Sequence, residues 1–141
     1  MQTGVPQGSV LGRLLFCLYT TPLSHMLSAT VLSYHADDTQ LYISFNSPDC
    51  ATSLATLSSA LDSVHAWLTS NRLSINPSKT EFLIIGTPQQ RSRLTATTLT
   101  FHGTLHTPTD STRNLGFIID KDFSAKAHIS SVCKSSYFQI R

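Results

Sequence analysis

The run YHADDTQLY, residues 34 to 42, sets two adjacent carboxylates, Asp37 and Asp38, inside a strand-like, aromatic-rich stretch. A strand interior normally excludes Asp, because a short charged side chain fits the pleated conformation poorly and is costly to bury. Two readings follow. In the first, the pair forms a bend between two strands, where Asp is favoured because its carboxylate accepts from nearby backbone amides. In the second, the bend delivers carboxylates to a divalent cation, as in metal-assisted phosphoryl transfer. The flanks alternate, with Leu41, Ile43 and Phe45 interleaved by Gln40, Tyr42 and Ser44. That is the period of a half-buried strand, so residues 31 to 45 are predicted as a β-hairpin with the Asp pair at its bend.

On the N-terminal side lies GVPQGS, residues 4 to 9, a loop whose glycines permit positive φ or close backbone approach and whose Pro6 fixes a turn. Ser9 is a candidate N-cap for a helix over VLGRLLFCLYTTPLSHML, with Leu11, Leu14, Leu15 and Leu18 at helical spacing and Pro22 expected to kink or end it. On the C-terminal side Asp49 is placed to cap a helix carrying Leu54, Leu57, Leu61, Val64 and Leu68, bracketed at its exit by Asn71 and Pro77. EFLIIG (81 to 86) reads as a buried strand followed by a polar basic loop, QQRSR. LTFHGTLH and NLGFIID read as two short strands separated by a turn at PTDST. Ser124 is a candidate cap for a last helix carrying Ile129, Val132, Cys133 and Ile140. The order helix, hairpin, helix, strand, hairpin, helix implies an α+β layered domain. Trp67 and the leucines near it read as core.

Composition excludes several classes. With 141 residues, 40% hydrophobic and 13% charged, the chain has room for one core and is no disordered tail. Ten Lys and Arg against eight Asp and Glu give a net charge of +2, too weak to argue for nucleic acid or an anionic membrane from charge alone. Cys17, Cys50 and Cys133 show no paired spacing, and MQTGVPQGS carries no secretion signal, so reduced cysteines in an intracellular protein are expected, with nucleus and cytoplasm both open. The longest apolar stretch is interrupted by Gly12, Arg13 and Pro22 and is too short to span a bilayer. The histidines (His25, His35, His65, His102, His106 and His128) show no zinc-type local cluster beyond His102 and His106, which lie in a strand-turn region, so a zinc site is not expected. Because a Gly-Pro-Gly turn follows Met1 almost at once, the chain is expected to start part-way through a larger unit.

In order along the chain stand GVPQGSVLG, HADDTQLY, LSINPSKTEF and RNLGFIID. This set resembles the reverse transcriptase domain of non-LTR (LINE-type) retrotransposons over essentially the whole chain. The resemblance implies a partial polymerase palm over 1–123, an antiparallel sheet with helices packed on one face, and the start of a thumb-like helix over 124–141. It implies RNA-templated DNA synthesis with two Mg²⁺ ions, an RNA template, a DNA primer and deoxynucleotides. By residue, Asp37 matches the principal metal ligand and Asp38 supports it. Gly4, Pro6, Gln7, Gly8 and Ser9 match the loop that touches template and incoming nucleotide. Lys79 matches a lysine beside the nucleotide phosphates, where a cation or proton donor assists departure of pyrophosphate. RNLGFIID looks like the hairpin that grips the primer strand.

The sequence departs from that pattern in three places. The remaining catalytic aspartate of such enzymes lies on a strand upstream of GVPQGS, where here only Met-Gln-Thr is found. His35 stands where a tyrosine usually precedes Ala-Asp-Asp, and Tyr34-His35 looks like the first pair of Tyr-His-x-Tyr-Ala-Asp-Asp with two residues deleted. Such a loss keeps each side chain on its face but shortens the strand. Arg13 replaces a proline common after GSVLG, a mild change. The expectation is a reverse transcriptase fragment that is inactive as an isolated chain. The alternative is a non-catalytic remnant acting at most as a weak nucleic-acid-binding domain. A further possibility is a complementing chain that supplies the missing strand.

Overall fold

A computed structural model of the protein describes residues 8–25, 31–35 and 38–140. The chain divides into two compact units. One comprises residues up to Ser44 together with Ala55–Ile75, and the other comprises Phe45–Leu54 together with Asn76 onward. The class is α+β, with four helices and three small antiparallel sheets among the described residues.

In the first unit α1 (Gly12–His25) begins three residues after Ser9, whose carbonyl, rather than its side chain, receives the Gly12 amide at 3.0 Å. Pro22 does not end this helix. It removes one helical hydrogen bond, but just upstream the Thr20 hydroxyl donates to Phe16 O at 2.9 Å and the Thr21 hydroxyl to Cys17 O at 2.8 Å. Such back-bonding is compatible with a bend in the helix. Beyond the proline, Leu23 is completely buried against Val64 and Leu68, which offsets the roughly 3 kcal/mol that an interior proline costs. The leucines at positions 11, 14, 15 and 18, spaced as a core stripe, lie instead on an exposed face.

The long helix α2 (Cys50–Ser70) opens immediately after a single 3₁₀ turn at Ser47–Asp49. Leu54, Leu57, Ala60, Val64 and Leu68 are buried, while Leu61 is half-buried, so the predicted stripe is the buried face. Its end is a Schellman motif without glycine. Arg72 takes φ 60°, its amide donates to Thr69 O at 3.1 Å, and the Leu73 amide donates to Leu68 O at 2.8 Å. Leu73 packs on the Leu23–Val64–Leu68 cluster, providing the apolar contact that accompanies this motif. Tyr19 lies 6.2 Å from Trp67 between ring centroids and donates its hydroxyl to Asn71 O at 2.9 Å, tying α1 to the end of α2.

The second unit departs most from the sequence reading. Residues 81 to 86 are not a strand: they bond the neighbouring backbone only near their ends, where Thr109 N donates to Phe82 O at 2.8 Å and Gly86 N to Lys121 O at 3.0 Å. QQRSR is not wholly a loop. Gln89, Gln90 and Arg91 belong to a short helix, α3 (Pro88–Arg91), opened by a reciprocal capping box between Thr87 and Gln90.

LTFHGTLH is not one strand but a complete hairpin, β3 (Leu99–Phe101) and β4 (Thr104–His106), turning at His102 and Gly103 with φ 55° and 71°. NLGFIID straddles another hairpin, β4's successor β5 (Ser111–Asn114) with β6 (Phe117–Asp120), turning at Leu115 and Gly116. Leu99 and Phe101 are buried, as are Ile84 and the Cys50 thiol, which donates to Ala96 O at 3.1 Å. Arg91 fastens the unit: it donates to Gly86 O, to Lys121 O at 2.7 Å and to Asp122 Oδ1 at 2.6 Å.

The last helix, α4 (Lys126–Ile140), buries none of its residues, so the apolar positions 129, 132 and 140 are exposed rather than core. Ser124 contributes to its entry, accepting from Lys126 N at 3.4 Å.

Two stability outcomes follow. Leu23→Ala is expected to cost about 2–5 kcal/mol, measured as a drop in the urea midpoint, because the site is fully buried. Arg91→Ala is expected to cost about 1–3 kcal/mol by the same measurement, since two backbone carbonyls lose a charged donor.

Candidate metal-binding hairpin and associated residues

The hairpin foreseen around the Asp pair is present. β1 (Val31–His35) and β2 (Asp38–Tyr42) pair antiparallel in an unbroken register from Val31↔Tyr42 to His35↔Asp38. A two-residue connection, 36 and 37, separates the strands in sequence, so Asp37 lies outside the described residues. Asp38 is the first residue of β2 and pairs with His35. The hairpin is seated by Leu41, which packs against Leu23, Val64 and Leu68, whereas Tyr42 is exposed. Strand alternation therefore sets one face of β2 toward the first unit's core.

Of the GVPQGS loop, Gly4, Pro6 and Gln7 lie outside the described residues. Gly8 has φ +85° with open space where a Cβ would stand, so backbone conformation and not crowding calls for glycine there. Ser9 is exposed, and its carbonyl begins the bonding that leads into α1.

Lys79 ends a single 3₁₀ turn, Pro77–Lys79, in the second unit. Asn76 organises the turn: its Oδ1 accepts from Ser78 N at 3.1 Å and from the Ser78 hydroxyl at 2.7 Å, and its carbonyl accepts from Lys79 N and the Thr80 hydroxyl. The Lys79 side chain is exposed and forms no ion pair among the described residues, where the ion pairs are Arg91–Asp122 and Lys121–Asp110. The carboxylate hairpin, Gly8 and Ser9 thus belong to the first unit and Lys79 to the second. Among the described residues no group of three His, Cys, Asp or Glu converges as a metal site. Nor is any helix among them long and apolar enough to cross a membrane.

Residues 1–119 match the family model of reverse transcriptases, described as RNA-dependent DNA polymerases. The chain belongs to the reverse transcriptase family. It is similar to a probable RNA-directed DNA polymerase from transposon BS of Drosophila melanogaster, at 31% identity over 144 positions. That match covers 97% of this chain and 16% of the relative, so the chain spans about a sixth of the relative's length. No solved structure matches it. The resemblance drawn from the ordered motifs is thereby borne out at the level of family.

In this reverse transcriptase segment, the second unit contains two carboxylates whose protonation is displaced. Asp110 is held below its ordinary value by a 2.6 Å hydrogen bond and ion pair with Lys121. Asp120 is lowered mainly by the Ser124 amide at 2.9 Å, with further help from the Ser124 hydroxyl and the Asp122 amide. Sequence reading singled out neither, although Asp followed by Ser four residues on, just before a helix, is a loop-capping pattern.

A depressed folded value stabilises the fold above the ordinary carboxylate range and loses that contribution as pH falls through the folded value. The urea midpoint is therefore expected to hold down to about pH 3.8 and fall below it. The Asp110→Asn/Asp120→Asn double variant should show a shallower acid decline. An equally steep decline in that variant would show that other groups drive it.

Proposed function

We propose that this chain is the part of a non-LTR reverse transcriptase that carries the metal-binding hairpin of the polymerase palm over 1–123, with a thumb-like helix beginning in 124–141. The observation that carries the reading is the continuous β1–β2 register, which runs to His35↔Asp38, next in sequence to Asp37, in a chain of this family. The register pairs every residue of β1 with one of β2, and Asp37 and Asp38 are consecutive in the sequence where the strands turn back.

Carboxylate oxygens are the ligands hard Mg²⁺ prefers, and Asp37 and Asp38 would hold it as principal and supporting ligand. A bound ion there supplies charge stabilisation for the attacking 3′-hydroxyl and the phosphoryl oxygens. Gly4, Pro6, Gln7, Gly8 and Ser9 would let backbone approach template and deoxynucleotide without side-chain obstruction, the positive φ of Gly8 being in keeping with that role. Lys79, exposed and without an ion-pair partner among the described residues, would set an ammonium beside the nucleotide phosphates. The nucleic acid is an RNA template with a DNA primer.

Two carboxylates make an incomplete two-metal site, so the 141-residue chain alone is expected to bind metal but not to extend a primer. Titrating it with Mn²⁺ should broaden the NMR amide signals of Asp38 and Thr39, and Asp37→Asn should abolish the effect. Broadening that survives Asp37→Asn and Asp38→Asn would overturn the metal assignment. Salt-sensitive RNA–DNA binding without such broadening would favour the remnant reading. Metal-dependent primer extension by the pure chain, lost in Asp37→Asn, would disprove the expected inactivity.

A further inference from the structure

No residue of α4 is fully buried and its packing is against β6, so its entry helps to set its direction. The entry loop contains two non-glycine residues at positive φ, Phe123 at 53° and Ala125 at 56°. Such backbone persists only where surrounding groups hold it. Packing does not hold Phe123, which is 70% exposed.

Phe123 N donates to Asp120 O at 2.9 Å and Arg91 grips Lys121 O and the Asp122 carboxylate, but the side-chain bonds that reach from β6 across the loop to the start of α4 come from the Asp120 carboxylate. Asp120 Oδ1 accepts from Asp122 N at 3.0 Å and Ser124 N at 2.9 Å, and its Oδ2 accepts from the Ser124 hydroxyl at 3.0 Å. That hydroxyl oxygen in turn accepts from Lys126 N, the first residue of α4. The neighbouring charges are engaged elsewhere: Lys121 pairs with Asp110 and Asp122 with Arg91.

Past the loop, α4 meets β6 where the His128 ring lies 4.2 Å from the Phe117 ring between centroids, and Ile118 N donates to His128 Nδ1 at 3.4 Å. A ring contact and one long hydrogen bond locate a pivot without fixing an angle.

We propose that the Asp120 carboxylate is a latch that keeps the 121–125 loop wound and α4 set at one angle on β6, and that its release frees α4 to swing about the Phe117–His128 contact. The device is local to the β6–α4 junction and is independent of the metal assignment at Asp37 and Asp38.

Residual dipolar couplings of backbone amides test it on the full chain. In the parent, α4 and the β5–β6 hairpin should fit one alignment frame. In Asp120→Ala the α4 couplings should shrink by about twofold or more as α4 moves on the nanosecond-to-millisecond scale, while those of Thr112 and Ile119 keep their size and their exchange protection. Ser124→Ala, which removes the hydroxyl link between Asp120 and Lys126 but leaves the amide bonds to the carboxylate, should give an intermediate loss. Couplings of α4 unchanged in Asp120→Ala would overturn the latch. Loss of hairpin protection together with α4 order would also overturn it, by showing Asp120 to be a general fold determinant.

Discussion

Burial of Leu23 against Val64 and Leu68 is the contact on which the first unit depends. It carries α1 through Pro22, a residue that sequence rules place at a helix end, because the final turn has somewhere apolar to go. The same cluster receives Leu41 from β2 and Leu73 from the cap of α2. One small core therefore seats the carboxylate hairpin and closes the long helix. Buried apolar area at this cluster does what local propensity at Pro22 and Arg72 opposes.

The second unit is organised differently. It buries Cys50, Leu54, Ile84, Leu99 and Phe101, but polar fasteners define its loops: Arg91 across Gly86, Lys121 and Asp122, and Asp120 around Ser124. Two tight hairpins with a positive-φ pair at each turn supply local strand pairing, and neither extends into a larger sheet among the described residues. Hairpins closed by two-residue turns form from neighbouring sequence alone, whereas a continuous ladder needs strands that lie far apart in the chain. Residues 81 to 86 show the intermediate case, apolar enough for a strand yet bonded only near their ends.

A bend between paired strands is where Asp is tolerated, yet Asp38 opens β2 and pairs with His35 in the ladder, so the pair does not lie wholly at the bend as the sequence suggests. The proposed delivery of carboxylates to a cation draws its support from family membership and from the continuous β1–β2 register.

The sequence by itself determined the family, the hairpin around Asp37 and Asp38, and the buried stripe of α2, because ordered motifs, period-two alternation and three-four spacing are local signals. Some further signals were present but went unread: Thr87-x-x-Gln90 as a capping box, and His102-Gly103 and Leu115-Gly116 as hairpin turns. Tertiary structure alone decided which apolar face of α1 is buried, since Leu11, Leu14, Leu15 and Leu18 have the right spacing and only the contact of Leu23 with Val64 and Leu68 selects the other side. It also decided the exposure of α4 and the left-handed backbone at Arg72, Phe123 and Ala125. These are set by non-local packing and by hydrogen bonds from groups such as Asp120, and no period in the sequence encodes them.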